Sequence, residues 1–380
     1  MARKVCVVVT ARPSYSRIRS VLEAVRDHND LELQLVVAAS ALLERYGNAA
    51  EVIEAEGFEI ARRVYMIVEG ENLVSSAKST GFGLAELSTT FDDLAPDVVV
   101  SVADRFETMA TAVAAAYMNI PLAHVQGGEV TGSIDEKVRH AITKLADLHF
   151  VATPHARERV VRMGERPDSV FVTGCPSIDV AERAVASGVA LPELGGVGGD
   201  VDLAEDFLVV LQHPVTTEYD SARDQVLETL HAVHDLGIPA LWFWPNVDAG
   251  SDGTSKGIRI FREQHGELPI RFVKNLPPED FLRLLKRSRG IVGNSSVAIR
   301  ECSYLGVPAV DIGTRQRGRD RGANVVEAGY DRAEIAGAVR AQLARGPVKS
   351  DPLYGDGLAG ARIAAHLATA PLTVEKRLDY

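Results

Sequence analysis

The chain of 380 residues lacks the marks of several broad protein classes. Its three cysteines, Cys6, Cys175 and Cys302, are far apart, odd in number and without a CxxC pair. A disulfide framework or cysteine zinc site is therefore not expected; reduced thiols in the cytoplasm are. An excess of cations is missing too. The 41 lysines and arginines face 52 aspartates and glutamates, a net charge of −11. That balance argues against general affinity for nucleic acid or anionic membranes. No apolar run reads as a membrane span. Val5–Val9 is too short for a signal-peptide core, and Thr108–Val125 holds Asn119 and Pro121, so it reads as helix, turn and strand. There is no GxGxxG fingerprint, no fixed-period repeat and no His/Cys ligand spacing. No bound NAD, flavin or metal is expected.

What is present is an ordinary globular composition, 46% hydrophobic and 24% charged, which argues against disorder. The length suits two cores better than one. Apolar or β-branched runs stand at Val5–Thr10, Leu31–Ala39, Phe58–Tyr65, Val98–Val102, Ile120–His124, His149–Ala152 and Val170–Thr173, with helical periodicity between them. Such alternation predicts a parallel sheet covered on both faces. Asn72–Leu94 reads as a long helix that Gly81 and Gly83 are placed to interrupt. The texture changes at Leu191–Asp200, where Gly, Pro and acids replace periodicity, as in a linker. A second series follows, with strands at Phe207–Leu211, Ala240–Trp244, Ile270–Val273, Gly290–Val292 and Ala309–Ile312 and helices at Glu279–Lys286 and Val297–Leu305. The expectation is an α/β chain of two Rossmann-like domains, residues 1–190 and 200–357, with a ligand in the cleft between them. A terminal helix and tail, residues 358–380, can cross back to the N-terminal domain.

The stretch His124–Arg139 is the densest in candidate chemistry. Gly127-Gly128 lets backbone pass close to a ligand. Glu129, Asp135 and Glu136 follow, and the spacing from Ile134 is helical, so Asp135 and Arg139 share a face. An ordinary loop with solvated acids looks the same. Arg12 and Arg17 flank the first strand-to-helix turn, either to meet a phosphate at a helix N-terminus or simply to face solvent. Asp104-Arg105 ends a strand, as site residues or as a local ion pair. His213 is a candidate general acid or base, or a helix cap. Asn246 and Asp248 stand in a tight loop after a strand. Gly293-Asn-Ser-Ser296 lies between a strand and a helix, so free amides and two hydroxyls would point at one spot; an N-cap pair is the alternative. Glu301, further along, can hold a ribose diol. Arg315, Arg317, Arg319 and Arg321 suggest a phosphate, of which one or two would touch it.

Taken together, these segments resemble the hydrolysing UDP-N-acetylglucosamine 2-epimerases, notably the epimerase half of the bifunctional enzyme of sialic-acid synthesis. The similar segments include Arg12-Pro-Ser-Tyr-Ser-Arg17, Asp104-Arg-Phe-Glu107, Gly127-Gly-Glu-Val-Thr-Gly-Ser-Ile-Asp135 and Arg139-His-Ala-Ile-Thr-Lys144. Gly174-Cys-Pro-Ser177, Leu211-Gln-His-Pro-Val-Thr-Thr217, Pro245-Asn-Val-Asp-Ala-Gly-Ser251, Gly293-Asn-Ser-Ser296 and Gly313-Thr-Arg-Gln316 follow in the family's order. The resemblance implies a GT-B fold, with UDP held mainly by the second domain and the sugar and catalytic carboxylates on the first. Arg12, Arg105, His213, Asn246, Ser295, Ser296, Glu301 and Arg315 match the family's nucleotide contacts. Arg17 and Leu276 join that set. Asp104 and Asp135 match two catalytic carboxylates, and Gln126 stands where the family has a third. Gln126, Asp135 and Arg139 would face the sugar, with His213 and Glu129 as further proton-transfer candidates. Ala103 replaces a glycine, a small departure, and Lys256, Arg259 and Arg262 resemble a region used for feedback by a CMP-sugar. No cofactor is implied, and a homodimer or homotetramer is expected.

The implied chemistry is elimination of UDP to a 2-acetamidoglucal, then hydration with inversion at C2. The C2 proton is a poor acid until the C1–O bond weakens, so the site needs a carboxylate near C2 and cations on the leaving diphosphate. Rival expectations are a non-hydrolysing epimerase, a GT-B glycosyltransferase and a catalytically silent sugar-nucleotide binder. Gly127-Gly-Glu129 and His213-Pro-Val-Thr216 favour hydrolysis, whereas Gln126 weighs against it.

Overall fold

Strand β1 (Arg3–Val9) shows why its run of valines was needed. Val5, Val7 and Val9 point to one face of a sheet and Cys6 and Val8 to the other, and all are buried. The computed structural model describes residues 2–44, 47–70, 73–102, 105–131, 135–215, 217–245, 250–265, 269–274 and 276–378. The chain divides into two compact units. The first comprises Met1–Glu129, Asp135–Val180 and Gly355–Tyr380, and the second Val130–Ile134 and Ala181–Tyr354.

In the first unit β1 is joined by β2 (Leu31–Ala38), β3 (Ile60–Val64), β4 (Val98–Val102), β5 (Leu122–Val125), β6 (Leu148–Val151) and β7 (Val170–Val172). Among the described residues they form a parallel sheet in the order β3-β2-β1-β4-β5-β6-β7. Helices α1 (Arg12–Arg26), α2 (Ala49–Ala55), α3 (Leu73–Leu94), α4 (Phe106–Tyr117), α5 (Asp135–Leu145), α6 (Pro154–Arg162) and α7 (Pro176–Ala186) alternate with the strands. Ile18, Val21 and Leu22 of α1 cover one face, and Leu87 and Phe91 of α3 with Ala112 and Ala115 of α4 cover the other. Each fully buried large aliphatic side chain contributes about 1.5–3 kcal/mol. Helix α3 runs unbroken through Gly81 and Gly83, contrary to the interruption expected there. A Cβ at Gly83 would collide with the Met66 side chain and crowd Ala110 of α4, so this glycine serves close packing rather than a break.

The second unit holds β8 (Val197–Gly198), β9 (Leu208–Leu211), β10 (Ala240–Phe243), β11 (Ile270–Val273), β12 (Gly290–Gly293), β13 (Ala309–Ile312) and β14 (Val325–Ala328). Their order is β14-β13-β12-β9-β10-β11-β8, parallel except at β8. Helices α8 (Ala222–Leu236), α9 (Ser251–His265), α10 (Pro278–Arg287), α11 (Glu301–Leu305) and α12 (Arg332–Arg345) accompany them. Leu208, Val210 and Trp242 pack with Leu230 of α8, Phe261 of α9 and Val339 of α12. The expected linker Leu191–Asp200 is thus partly strand: Val197 and Gly198 pair antiparallel with β11. The helix expected over Val297–Leu305 is two pieces, a 3-10 turn at Ser296–Ala298 and the short α11. Asn324 Nδ2 donates to the Ala298 carbonyl at 3.0 Å, drawing off an acceptor that an unbroken helix would use itself.

Helix α13 (Ala359–Thr369) belongs to the first unit. Asp179 of α7 accepts from the Ala359 and Gly360 amides at 3.0 and 2.7 Å, a cap worth about 1 kcal/mol. Ile363 and Leu367 then join the core beneath α1. Both units are α/β sheets of parallel-dominated topology, the architecture of each half of a GT-B chain.

Candidate functional site

The candidate residues of the first unit stand at the carboxyl ends of its strands. After β1, helix α1 opens at Arg12 with no side-chain cap from Ala11. Arg12 is half-buried, and burial lowers its pKa from the ordinary value; Arg17 is half-buried one turn on. After β4, Arg105 begins α4 and its Nε donates to buried Glu107 at 3.3 Å. Asp104 lies outside the described residues, as does Ala103.

After β5, Gln126 turns the chain with φ +68. That left-handed conformation costs an ordinary side chain about 1–2 kcal/mol. Its backbone N–H donates to the Phe150 carbonyl at 2.9 Å, and its Nε2 donates to Cys175 Sγ at 3.0 Å. Cys175 Sγ is in turn 3.0 Å from Ser177 Oγ. Arg139 of α5, 2% exposed, donates to the Glu129 carbonyl at 2.8 Å, and Arg159 of α6 donates to the Gly128 carbonyl at 3.3 Å. Two guanidinium groups therefore fix the backbone of the glycine loop, and Glu129 is itself buried. Helix α5 begins at Asp135, whose side chain lies outside those described.

In the second unit one side chain ties two strand ends together. Asn294, fully buried after β12, accepts from the His213 amide at 2.7 Å and donates to the His213 carbonyl at 2.8 Å. Gly293 makes this approach feasible, because it holds φ +139 and a Cβ there would strike the Leu211 carbonyl. The Asn294 carbonyl accepts from Arg315 at 3.3 Å and from Gln316 Nε2 at 2.8 Å. Ser295 is buried and its Oγ accepts weakly from the Val297 amide at 3.4 Å, while Ser296 is half-buried. Glu301 opens α11, and its buried Oε2 has no hydrogen-bond partner among the described residues. A buried unpaired carboxylate oxygen is costly unless a ligand donates to it.

The second unit thus brings together His213, Asn294, Ser295 and Arg315. The four nearby arginines divide. Arg321 is engaged by Asp311 at 2.9 Å and by Glu327, Arg319 is buried, and Arg317 is exposed. Burial raises the Asp311 carboxyl to about 6 despite Arg321, Arg319 and Arg315 around it. Leu276 is half-buried beyond β11; Asn246 and Asp248 lie outside the described residues. Asn294 as a clamp and Cys175 as the partner of Gln126 were not singled out from the sequence, although both lie in segments that were. Among the described residues no group of three His, Cys, Asp or Glu is arranged to hold a metal ion, and no helix is long and apolar enough to cross a membrane.

Residues 23–368 match the family model described as UDP-N-acetylglucosamine 2-epimerase. A UDP-N,N'-diacetylbacillosamine 2-epimerase (hydrolyzing) of Legionella pneumophila is 31% identical over 373 residues, 98% of this chain and 97% of that protein. Polysialic acid biosynthesis protein P7 of Escherichia coli is 32% identical, over 88% of this chain and 84% of that protein. The crystal structure of UDP-GlcNAc 2-epimerase from Neisseria meningitidis bound to UDP-GlcNAc superposes with a TM-score of 0.80 at 18% identity, over 96% of this chain and 99% of that one. The expected GT-B fold is therefore the one the chain has.

Proposed function

The chain belongs to the UDP-N-acetylglucosamine 2-epimerase family, and from that premise we propose that it is a hydrolysing enzyme releasing N-acetylmannosamine and UDP. The observation that carries this reading is the frame around Asn294, which sets Arg315 and Ser295 near His213. Cations and hydroxyls suit a diphosphate, and Glu301 offers an acceptor for a diol. In this reading Arg12, Arg17, Arg105, His213, Asn246, Leu276, Ser295, Ser296, Glu301 and Arg315 hold UDP. The hydrolytic outcome is supported by the name of the Legionella relative and by Gly127-Gly-Glu129.

The reaction balances without a redox partner. A base takes the C2 proton while the C1–O bond breaks, its electron pair leaving with UDP, and C1=C2 forms. Water then adds its oxygen to C1, and a proton returns to C2 from the face that inverts it. One water is consumed, and the free amino sugar and UDP are formed. Arg105 and Arg315 would stabilise the leaving diphosphate, at roughly 3 kcal/mol per positioned donor by analogy with oxyanion holes. Asp104 and Asp135 would move the protons, with Gln126, Asp135 and Arg139 on the sugar side.

A second reading has one specific support. The Legionella relative is named for a diacetylated bacillosamine, so the sugar here would carry a second acetamido group. Proton NMR of UDP-N-acetylglucosamine with the protein in deuterium oxide tests both. The expected result is N-acetylmannosamine deuterated at C2 together with free UDP. UDP-N-acetylmannosamine without free UDP would make the enzyme non-hydrolysing. Turnover of the diacetylbacillosamine nucleotide alone would favour the second reading. UDP binding with no C2 exchange on either sugar would leave only a nucleotide-sugar binder.

A further inference from the structure

Arg315 is carried by the turn that follows β13, and that turn is tied to an acid that nothing above assigns. Thr314 Oγ1 donates to Glu218 Oε1 at 2.5 Å. The other oxygen of Glu218 accepts from Gln225 Nε2 at 2.8 Å and from the Tyr330 hydroxyl at 2.9 Å. One carboxylate therefore gathers three donors from three places: the β13 turn, helix α8 and the segment before α12. The Tyr330 ring also lies against Gly313, the residue before Thr314. Sequence distance makes the arrangement specific, since Glu218 and Thr314 are 96 residues apart.

Packing does not explain this contact. Glu218, Thr314, Gln225 and Tyr330 are all half-buried, and a cavity of about 530 Å³ opens beside Glu218, Gln225 and Tyr330, lined also by Thr217, Tyr219 and Asp220. The Glu218 carboxylate, which borders that open space, is held in place by its hydrogen bonds. Burial alone would raise the Glu218 carboxyl, but the bonds from Thr314, Gln225 and Tyr330 outweigh it and hold it below the ordinary value. The acid is thus ionised at neutral pH, and charge-assisted bonds of this type are the strong ones.

We infer that Glu218 is a positioning residue for UDP binding: through Thr314 it holds the turn that aims Arg315, whose guanidinium reaches the Asn294 carbonyl. The inference rests on the proposed nucleotide site. Glu218 itself does not touch UDP in this arrangement; it restricts where Arg315 can go, and so lowers the ordering cost when the diphosphate arrives.

The test is a double-mutant cycle read by calorimetry of UDP binding. Thr314→Val keeps the shape of the side chain and removes the hydroxyl; it is expected to weaken UDP about tenfold. Thr314→Ser, which keeps the hydroxyl, is expected to recover most of that loss. In an Arg315→Ala background, Thr314→Val is expected to add less than twofold, because the arginine it serves is gone. Tyr330→Phe removes a second donor to the same carboxylate while leaving the ring on Gly313, and is expected to weaken UDP severalfold. Full additivity of Thr314→Val and Arg315→Ala would overturn the inference, as would wild-type affinity in both Thr314→Val and Tyr330→Phe. If the wild-type protein itself fails to bind UDP, the nucleotide site is wrong and the inference falls with it. Wild-type binding with an additive cycle overturns the positioning role alone.

Discussion

Gln126 Nε2 donates to Cys175 Sγ across 3.0 Å, joining the turn after β5 to the start of α7. The resemblance to the 2-epimerases implies a carboxylate at this position, where this chain has the amide. A thiol is both a weak donor and a weak acceptor, so it can turn its proton toward a carboxylate oxygen. Gln126 is 4% exposed, so Gln126→Glu is expected to fold with a melting temperature lowered by several degrees, and to exchange deuterium at C2 at the wild-type rate or faster. A slower exchange would mean that the amide donates a hydrogen bond the chemistry needs. Cys175→Ala should cost more stability than it costs turnover if the thiol serves to steady the turn through Gln126 and Ser177.

The Asn294 clamp makes a sharper stability prediction. Asn294→Ala removes two hydrogen bonds to the buried His213 backbone, together worth about 1–3 kcal/mol. Urea unfolding should show a loss in that range, and UDP affinity should fall severalfold, because His213 loses its tie to the turn that carries Ser295, while the Asn294 backbone carbonyl that meets Arg315 remains. Destabilisation with unchanged UDP affinity would confine Asn294 to the fold.

The strands were legible because a parallel strand buried on both faces is apolar along nearly its whole length, as Ala240–Phe243 is. Strand β14 was not, since its four residues include the exposed Glu327 and it is recognisable only from its pairing with β13. The helix after Ser295 was misread for a related reason: the Asn324 amide that takes the Ala298 carbonyl lies 26 residues away. The site divides in the same manner. Single side chains at strand ends, such as His213 and Arg315, stand out in sequence. Contacts such as Gln126 with Cys175, 49 residues apart, appear only when β5, β6 and β7 are laid side by side.

Acid should loosen the first unit at a definable place. Glu165, 4% exposed, lies against His149 Nε2 at 3.1 Å, Lys144 Nζ at 2.5 Å and, from the C-terminal tail, Lys376 Nζ at 2.6 Å. Burial alone would raise its carboxyl, but the bonds from His149, Lys144 and Lys376 outweigh it and hold it at about 2, against an ordinary 4.5. A depressed folded value gives stability that is fully present above about 4.5 and lost as the pH falls toward about 2. Glu165→Gln should cost on the order of 3 kcal/mol at pH 7, and the gap from wild type should close between those two pH values. Unfolding curves at pH 7, 4.5 and 3 measure it. A gap that stays constant over that range would assign the cost to packing instead of charge.

Proton transfer at C2 is the step on which the proposed reaction depends. The amide of Gln126 cannot serve as a base at neutral pH, so the transfer is assigned to Asp104, after β4, and Asp135, at the start of α5. Both positions follow strands whose neighbours, Arg105 and the Gly127-Gly128 loop, carry the other candidate groups of this unit. Asp135→Asn and Asp104→Asn keep size and polarity and remove the charge. Each is expected to slow deuterium entry at C2 by at least about a hundredfold, the usual scale for losing a positioned acid or base. UDP affinity should stay within about threefold of wild type for Asp135→Asn, since UDP is assigned to groups other than this carboxylate. Loss of exchange with UDP binding retained would separate chemistry from binding. If both variants exchange deuterium at the wild-type rate, the assignment fails. The base would then be His213, whose backbone Asn294 already fixes, or Glu129, which is 3% exposed and would have to work from a buried position.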